Sequence, residues 1–397
     1  MEVTMVRLDD YGRGICYVKD KITFVPNTCV GDILEIEIVK EAKKYNIGKI
    51  KNIISSKRQD SFCQYSSICG GCSLSLMSYE DTLSFKKQKL EHIFKKFCHE
   101  DINIPIVASP KPLEYRNKIT LHVKGGLVGL YKEETNEIVS INECKLAPYK
   151  VNEFIRIIPK FNIQNGTVVI RNNYNMELLI NFITDDNITI PNLTEFKIVG
   201  ILQNGKVLKG EDFFIERLND MYFKVSYDAF FQINLGITKK LFDLLIELAP
   251  KDKNVLDLFC GTGSLGLTLA SFCKKVYGIE INKNATINAT YNAKINGLKN
   301  CYYLCGDANI LISKIPLKID LVIIDPPRSG MTKEGIELLR KIKADTIIYI
   351  ACDPITLARD INYLKNDYML KTVIGLDMFP FTYHIETICY LSRKQDK

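Results

Sequence analysis

Over residues 1–55 apolar and polar positions alternate in short runs: Val3–Leu8, Ile15–Val18, Ile22–Val25, Asp32–Val39 and Tyr45–Ile50. A period of two marks half-buried strands. Gly12, Gly14, Pro26-Asn27 and Gly31-Asp32 fall between the runs as turn formers, so residues 1–56 are expected to form a small five-stranded β-barrel. From Tyr79 to Phe97 the period lengthens: Leu83, Leu90, Ile93, Phe94 and Phe97 lie near helical spacing amid five lysines, which predicts one amphipathic helix. Residues 115–225 alternate five strand-like runs (118–123, 128–131, 167–171, 177–182 and 196–202) with a helical run near Lys150 to Pro159. Residues 57–225 therefore read as an α+β central domain. Beyond Lys239 the order becomes strand, turn, helix, strand: Asn254–Phe259, Lys275–Glu280, Tyr302–Asp307 and Ile319–Asp325 are apolar strands separated by helical segments. Such βαβ units imply a parallel, doubly wound sheet, with ligands at the carboxyl ends of its strands. The third domain is expected to span 226–397.

Length and composition agree with this division. At 397 residues the chain suits two or three domains, and 46% hydrophobic with 25% charged residues is the mixture of an ordinary globular protein. The longest apolar stretches, within Asp320–Asp325 and Thr346–Ala351, fall far short of the roughly 20 residues a membrane span needs. The first ten residues carry no basic segment followed by an apolar one, so a cytoplasmic protein with no membrane partner is expected. In a reducing compartment the 13 cysteines read as metal ligands, a nucleophile or buried small residues, not as disulfides. The net charge of +7 is mild, but Val39–Arg58 holds seven basic residues against one acid. This stretch is either a polyanion-binding surface or a solvated strand face.

Chemistry concentrates in the last third. Asp257-Leu-Phe-Cys-Gly-Thr-Gly-Ser-Leu-Gly266 is a strand end, a Gly-rich turn and a helix start, where glycines let backbone approach a ligand. Glu280 closes the next strand about 20 residues on, where a carboxylate can accept both hydroxyls of a ribose. Asp307 and Asp325-Pro-Pro-Arg328 close the third and fourth. Four ligand-facing strand ends without a phosphate-binding lysine resemble the S-adenosylmethionine site of class I methyltransferases. A nicotinamide-type fold is the alternative, but no second nucleotide-binding half follows. Tyr349-Ile-Ala-Cys-Asp-Pro354 sets Cys352 at the end of an apolar strand, and Phe379–Thr387 sets Glu386 at the start of another. A nucleophilic cysteine and a carboxylate at adjacent strand ends suit addition to C6 of a pyrimidine and later removal of the C5 proton. The default alternative for a lone cysteine is an inert buried one.

In order along the chain, Phe230-Phe-Gln-Ile-Asn234, Asp257–Gly263, Asp325–Arg328, Ala351-Cys-Asp-Pro354 and His384-Ile-Glu386 resemble the motifs of the RNA 5-methyluridine methyltransferase family over essentially the whole length. The resemblance implies a multidomain α/β protein: a TRAM-like, RNA-binding β-barrel, a central α+β domain with an iron–sulfur cluster, and a C-terminal class I (Rossmann-like) methyltransferase domain. It implies Cys352 as nucleophile, Glu386 as base, and Gln232, Phe259, Ser264, Glu280, Asp307 and Asp325 around S-adenosylmethionine, with Phe230 stacking on RNA. Cys63-x5-Cys69-Gly-Gly-Cys72 with Cys144 resembles the four ligands of the family's [4Fe-4S] cluster. Zinc is the alternative, although zinc sites usually come as two C-x2-4-C pairs.

The implied activity is transfer of a methyl group to C5 of a uridine by a monomeric enzyme. Ribosomal RNA of the 23S type is favoured as substrate, because bacterial tRNA-specific members generally lack both barrel and cluster. Transfer RNA is the alternative, and a noncatalytic RNA-binding iron–sulfur protein the rival from another class. One position departs from the family, which usually has Asn where Asp353 stands. A carboxylate beside Cys352 raises the thiol pKa, unless it points into backbone hydrogen bonds around Pro354.

Overall fold

The computed structural model describes residues 1–66, 68–133, 135–316 and 318–395. The N-terminal sheet contains β1 (Glu2–Thr4), β2 (Arg7–Leu8), β3 (Gly14–Val18), β4 (Lys21–Val25), β5 (Ile33–Glu41) and β6 (Tyr45–Ser55), in the order β1-β5-β6-β4-β3-β2. Six strands replace the five expected because the first run breaks at Met5-Val6. The Met5 N–H donates to Asp32 O and the Val6 N–H to Ile15 O, both at 2.9 Å, so the two halves join opposite ends of the sheet. β1 and β2 are not paired with each other, but as successive halves of one run they pair with β5 and β3 respectively. Lys40, Lys43, Lys44, Lys49 and Lys51 are exposed on β5, β6 and the turn between them, whereas Arg58 turns in to Asp32 at 2.9 Å.

After the cysteine segment come α1 (Tyr79–Cys98) and β7 (Ile106–Val107). Ser78 caps α1, its hydroxyl accepting the Asp81 N–H at 3.0 Å. The central sheet is built from β8 (Lys118–Lys124), β9 (Leu127–Tyr131), β10 (Ile138–Ser140), β11 (Asn165–Asn172), β12 (Leu178–Ile183), β13 (Ile198–Gln203) and β14 (Lys206–Gly210), with α2 (Tyr149–Ile157) between β10 and β11. Phe154 of α2 closes its core against Phe161, and Phe161 meets Phe182. A hairpin, β15 (Phe213–Leu218) and β16 (Met221–Ser226), and α3 (Leu235–Leu248) lead into the last layer.

There β17 (Asn254–Leu258), α4 (Ser264–Leu269), β18 (Lys275–Glu280), α5 (Lys283–Ile295), β19 (Cys301–Cys305), α6 (Ala308–Leu311), β20 (Leu321–Ile324), α7 (Lys333–Ile342), β21 (Thr346–Ala351), α8 (Pro354–Leu364), β22 (Tyr368–Leu376) and β23 (Glu386–Arg393) make a doubly wound sheet ordered β19-β18-β17-β20-β21-β23-β22-β7. Strands 17 to 21 are parallel as expected, but β23 enters antiparallel between β21 and β22. That reversal starts β23 beside the carboxyl end of β21.

Helix α1 and β7 belong to this last layer although they precede the central sheet in sequence. Leu90 and Phe94 pack with Leu357, Ile361 and Leu364 of α8, and β7 pairs with the edge strand β22. The amphipathic pattern treats every lysine of α1 as solvated, yet Lys86 is fully buried. Its ammonium meets the Asp377 carboxylate, itself fully buried, and donates to Phe379 O at 2.9 Å. The Tyr79 hydroxyl donates to the other Asp377 oxygen at 2.7 Å. Lys86→Ala leaves that carboxylate buried without its cation and is expected to cost about 3–5 kcal/mol, read as a lowered denaturation midpoint, whereas Lys95→Ala on the exposed face leaves the midpoint unchanged.

Candidate active site

The strand order reverses between β17 and β20, and at such a switch point an open α/β sheet leaves a crevice above the carboxyl ends of its strands. Asp257, fully buried, accepts the Gly266 N–H at 2.9 Å. Burial pushes its carboxyl up to about 7, against the pull of that hydrogen bond. Glu280 accepts the Gly261 N–H at 3.0 Å and the Asn282 N–H at 2.8 Å, so it braces the turn whose glycines it faces. Gly263 has φ +80°, and a Cβ there would lie 2.7 Å from the Tyr303 hydroxyl, so no larger residue fits. Phe259 sits in the same region of φ, at +61°, with its ring 39% exposed. Ser264 opens α4. Asp307 caps α6 through the Asn309 N–H at 2.7 Å, and Gln232, in the loop before α3, is held by the Asn117 amide at its carbonyl. Ile281 and Ile310, 78% and 64% exposed, follow β18 and β19 closely.

The cysteine and carboxylates singled out from the sequence stand on the other side of the reversal. Ala351 pairs with Thr387 across β21 and β23, so Cys352 and Glu386 follow and precede that pair on neighbouring strands. Asp325 ends β20 beside them. Burial pushes the Cys352 thiol up to about 11, helped by Glu386 and opposed by Arg328, which also hydrogen-bonds to it. Glu386 is buried, with Oε1 unpartnered. Its pKa is raised well above the ordinary carboxyl range by burial and then by Asp325, with Arg328 opposing. Burial raises Asp325 as well. Asp353 does not add to this crowd of acids: it caps α8, its Oδ1 accepting the Ile355 and Thr356 N–H groups at 3.0 and 2.9 Å. The departure from the family pattern is thus absorbed by the helix start.

Residues 377–385, which lead into Glu386, are held from outside the sheet. Leu74 N–H donates to Phe381 O and the Ser73 hydroxyl accepts the Tyr383 N–H, both at 3.0 Å. Lys89 donates to Tyr383 O at 3.0 Å and to Asp10 O of the N-terminal layer at 2.7 Å. Phe381 packs against Phe62 and Tyr79 with its ring tilted to both. None of Lys86, Lys89, Ser73 or Arg328 was singled out from the sequence; only Arg328 carried a signal, as the end of Asp325-Pro-Pro-Arg328.

Cys63, Cys69, Cys72 and Cys144 line one small cavity with Phe62, Tyr65 and Leu130. Among the described residues no group of three or more His, Cys, Asp or Glu side chains is gathered closely enough to hold a metal ion. Burial raises the thiols of Cys63, Cys69 and Cys72, and Cys144 raises each further. Thiols raised in this way, as at Cys63, Cys69 and Cys72, stay protonated unless a cation or cluster shares their charge, so the chemistry of the donor set, though not its present spacing, suits such a group.

Residues 186–308 and 308–394 match the tRNA (Uracil-5-)-methyltransferase family. An uncharacterized RNA methyltransferase of Clostridium tetani is 32% identical, over 97% of this chain and 95% of its own length. One of Staphylococcus aureus is 32% identical over 98% and 97%. The crystal structure of Pyrococcus abyssi tRNA (uracil-54, C5)-methyltransferase in complex with S-adenosyl-L-homocysteine superposes with a TM-score of 0.81 at 27% identity, covering 98% of this chain and all of that one. No helix among the described residues is long and apolar enough to cross a membrane. With that relatedness along the full chain and the strand-end chemistry above, this chain belongs to the RNA uracil-C5 methyltransferases, which draw the methyl group from S-adenosylmethionine.

Proposed function

We propose that the chain methylates its uridine through a covalent adduct, with Cys352 as nucleophile and Glu386 as base. Cys352 thiolate forms a bond to C6 of the uracil, and the C5–C6 electron pair moves into the ring as an enolate. S-adenosylmethionine supplies the methyl group that C5 takes up. Glu386 then removes the C5 proton, the double bond re-forms, and Cys352 leaves as thiolate. The observation that carries this reading is the ladder register that sets Cys352 beside Glu386, with Arg328 alongside to favour the thiolate. Gln232, Phe259, Ser264, Glu280, Asp307 and Asp325 are proposed to line the methyl donor, and Phe230, 68% exposed, to stack on RNA.

Ribosomal RNA is the proposed substrate, and the exposed lysines of β5 and β6 are proposed to contact its phosphates. Transfer RNA is the second reading, favoured by end-to-end likeness to an archaeal tRNA enzyme. Mapping 5-methyluridine in both RNAs from cells lacking the protein decides between them.

The two catalytic roles separate by where the reaction stalls. Cys352→Ala is expected to abolish methyl transfer and form no adduct. Glu386→Gln is expected to accumulate a methylated RNA–protein adduct that survives denaturing gel electrophoresis. Turnover by Glu386→Gln near the wild-type rate would point to another base, with Asp325 the next candidate.

A thiol raised to about 11 is thiolate only in a small fraction at neutral pH, and that fraction grows as pH rises. kcat/KM is therefore expected to increase from pH 6.5 to 9, and Arg328→Gln to move the rise to higher pH. A flat wild-type profile over that range would show that the thiol's ionisation does not limit the rate.

We infer that Cys63, Cys69, Cys72 and Cys144 hold a [4Fe-4S] cluster, supported by their convergence on one buried cavity. When bound, the cluster would tie the 63–72 segment to residue 144 and take no part in methyl transfer. Protein purified without oxygen is expected to be brown with about four irons per chain, and Cys72→Ala to lose both colour and iron. Stoichiometric zinc without iron overturns the assignment.

A further inference from the structure

A cleft of about 710 Å³ opens beside the catalytic loop, where the N-terminal layer, the Gly70-Gly71 turn, the end of β9 and residues 382–384 meet. We propose that it receives the base of a nucleotide close to the target uridine in the RNA strand, unstacked and held against Tyr11, Tyr383 and His384. The proposal rests on the uridine-methylation reading above and extends it to how the strand is read.

Four aromatic side chains face this cleft: Tyr11, Tyr131, Tyr383 and His384. Tyr11 is 54% exposed and meets Tyr383 edge-on, with ring centroids 5.5 Å apart. Tyr383 lies against His384 at 4.1 Å, and Tyr131 is stacked on His122 at 3.8 Å. Large, half-exposed rings gathered from separate layers are a stacking platform for a nucleobase. The cations do not make a phosphate seat, because they are already matched: Arg13 is bound to Asp9 at 2.7 Å and Lys132 to Glu137 at 3.6 Å. With those charges matched, the cleft suits an uncharged aromatic ligand.

The cleft also offers groups that can meet a base edge. Thr135 and Asn136 stand at one wall and Ser73 at another. Burial first, and then Arg328 and Lys89, push His384 down to about 4, so its imidazole is neutral at physiological pH and presents one donor and one acceptor. Position links the cleft to the chemistry. His384 lies two residues before Glu386, a span of at most about 7 Å of chain, and Arg328 acts on both Cys352 and His384. To reach Cys352 the uridine must leave its stack, and a neighbour that loses that stacking partner gains another here.

The test uses a short synthetic RNA spanning the mapped uridine, with an abasic residue placed in turn at each flanking position. Wild-type protein is expected to lose about tenfold in affinity when one particular flanking base is removed. Tyr11→Ala is expected to bind intact RNA about tenfold more weakly yet to be indifferent to that abasic position, while Tyr11→Phe behaves as wild type. S-adenosylmethionine binding should be equal in all three, which separates this result from misfolding. Losses from Tyr11→Ala and from base removal that multiply at every position overturn the proposal while normal methylation keeps the uridine reading intact. Failure of the wild type to methylate any RNA sinks both.

Discussion

The buried pairing of Lys86 with Asp377 fixes the start of the irregular segment that leads into Glu386. The nine residues from Asp377 to Ile385 belong to no helix or strand of the sheet, yet they must deliver Glu386 beside Cys352. An irregular segment holds such a position only when its backbone groups find partners elsewhere. Here Lys86, Lys89, Ser73 and Leu74 supply them, and Tyr79 holds the Asp377 carboxylate, all from positions about three hundred residues earlier in the chain than the segment itself. Charges inside the fold are costly unless their partners remain in place. The segment is thereby specified to one arrangement.

The same burial shapes the chemistry. Removing water from Cys352, Glu386 and Asp325 disfavours every charged form at once, so thiol and carboxyls all hold their protons more tightly. The exposed guanidinium of Arg328 works against this, lowering both the thiol and Glu386. Asp353 would have been a third carboxylate in the group, but the N-terminus of α8 claims it.

The layers converge on the catalytic loop instead of sitting apart. Lys89 bonds the N-terminal layer and Tyr383 together, and the cysteine segment donates to Phe381. Any group that orders the four cysteines therefore stiffens the peptide two residues beyond Cys72 that clasps the loop.

Periodicity and motif spacing were enough to read the βαβ region, the α1 helix, the strand ends and the adjacency of Cys352 and Glu386, because each depends on neighbours within one or two elements. Alternation in residues 1–55 also located the N-terminal strands, but not the break at Met5-Val6 or the pairing of its two halves with β5 and β3. Those depend on which strand each half finds, and pairing partners lie far apart in sequence. The order β21-β23-β22, the docking of α1 on α8, the burial of Lys86 and the role of Arg328 were equally hidden. A lysine on a helix reads as solvated until another segment covers it, and only the fold determined that Asp377, 291 residues later, does so.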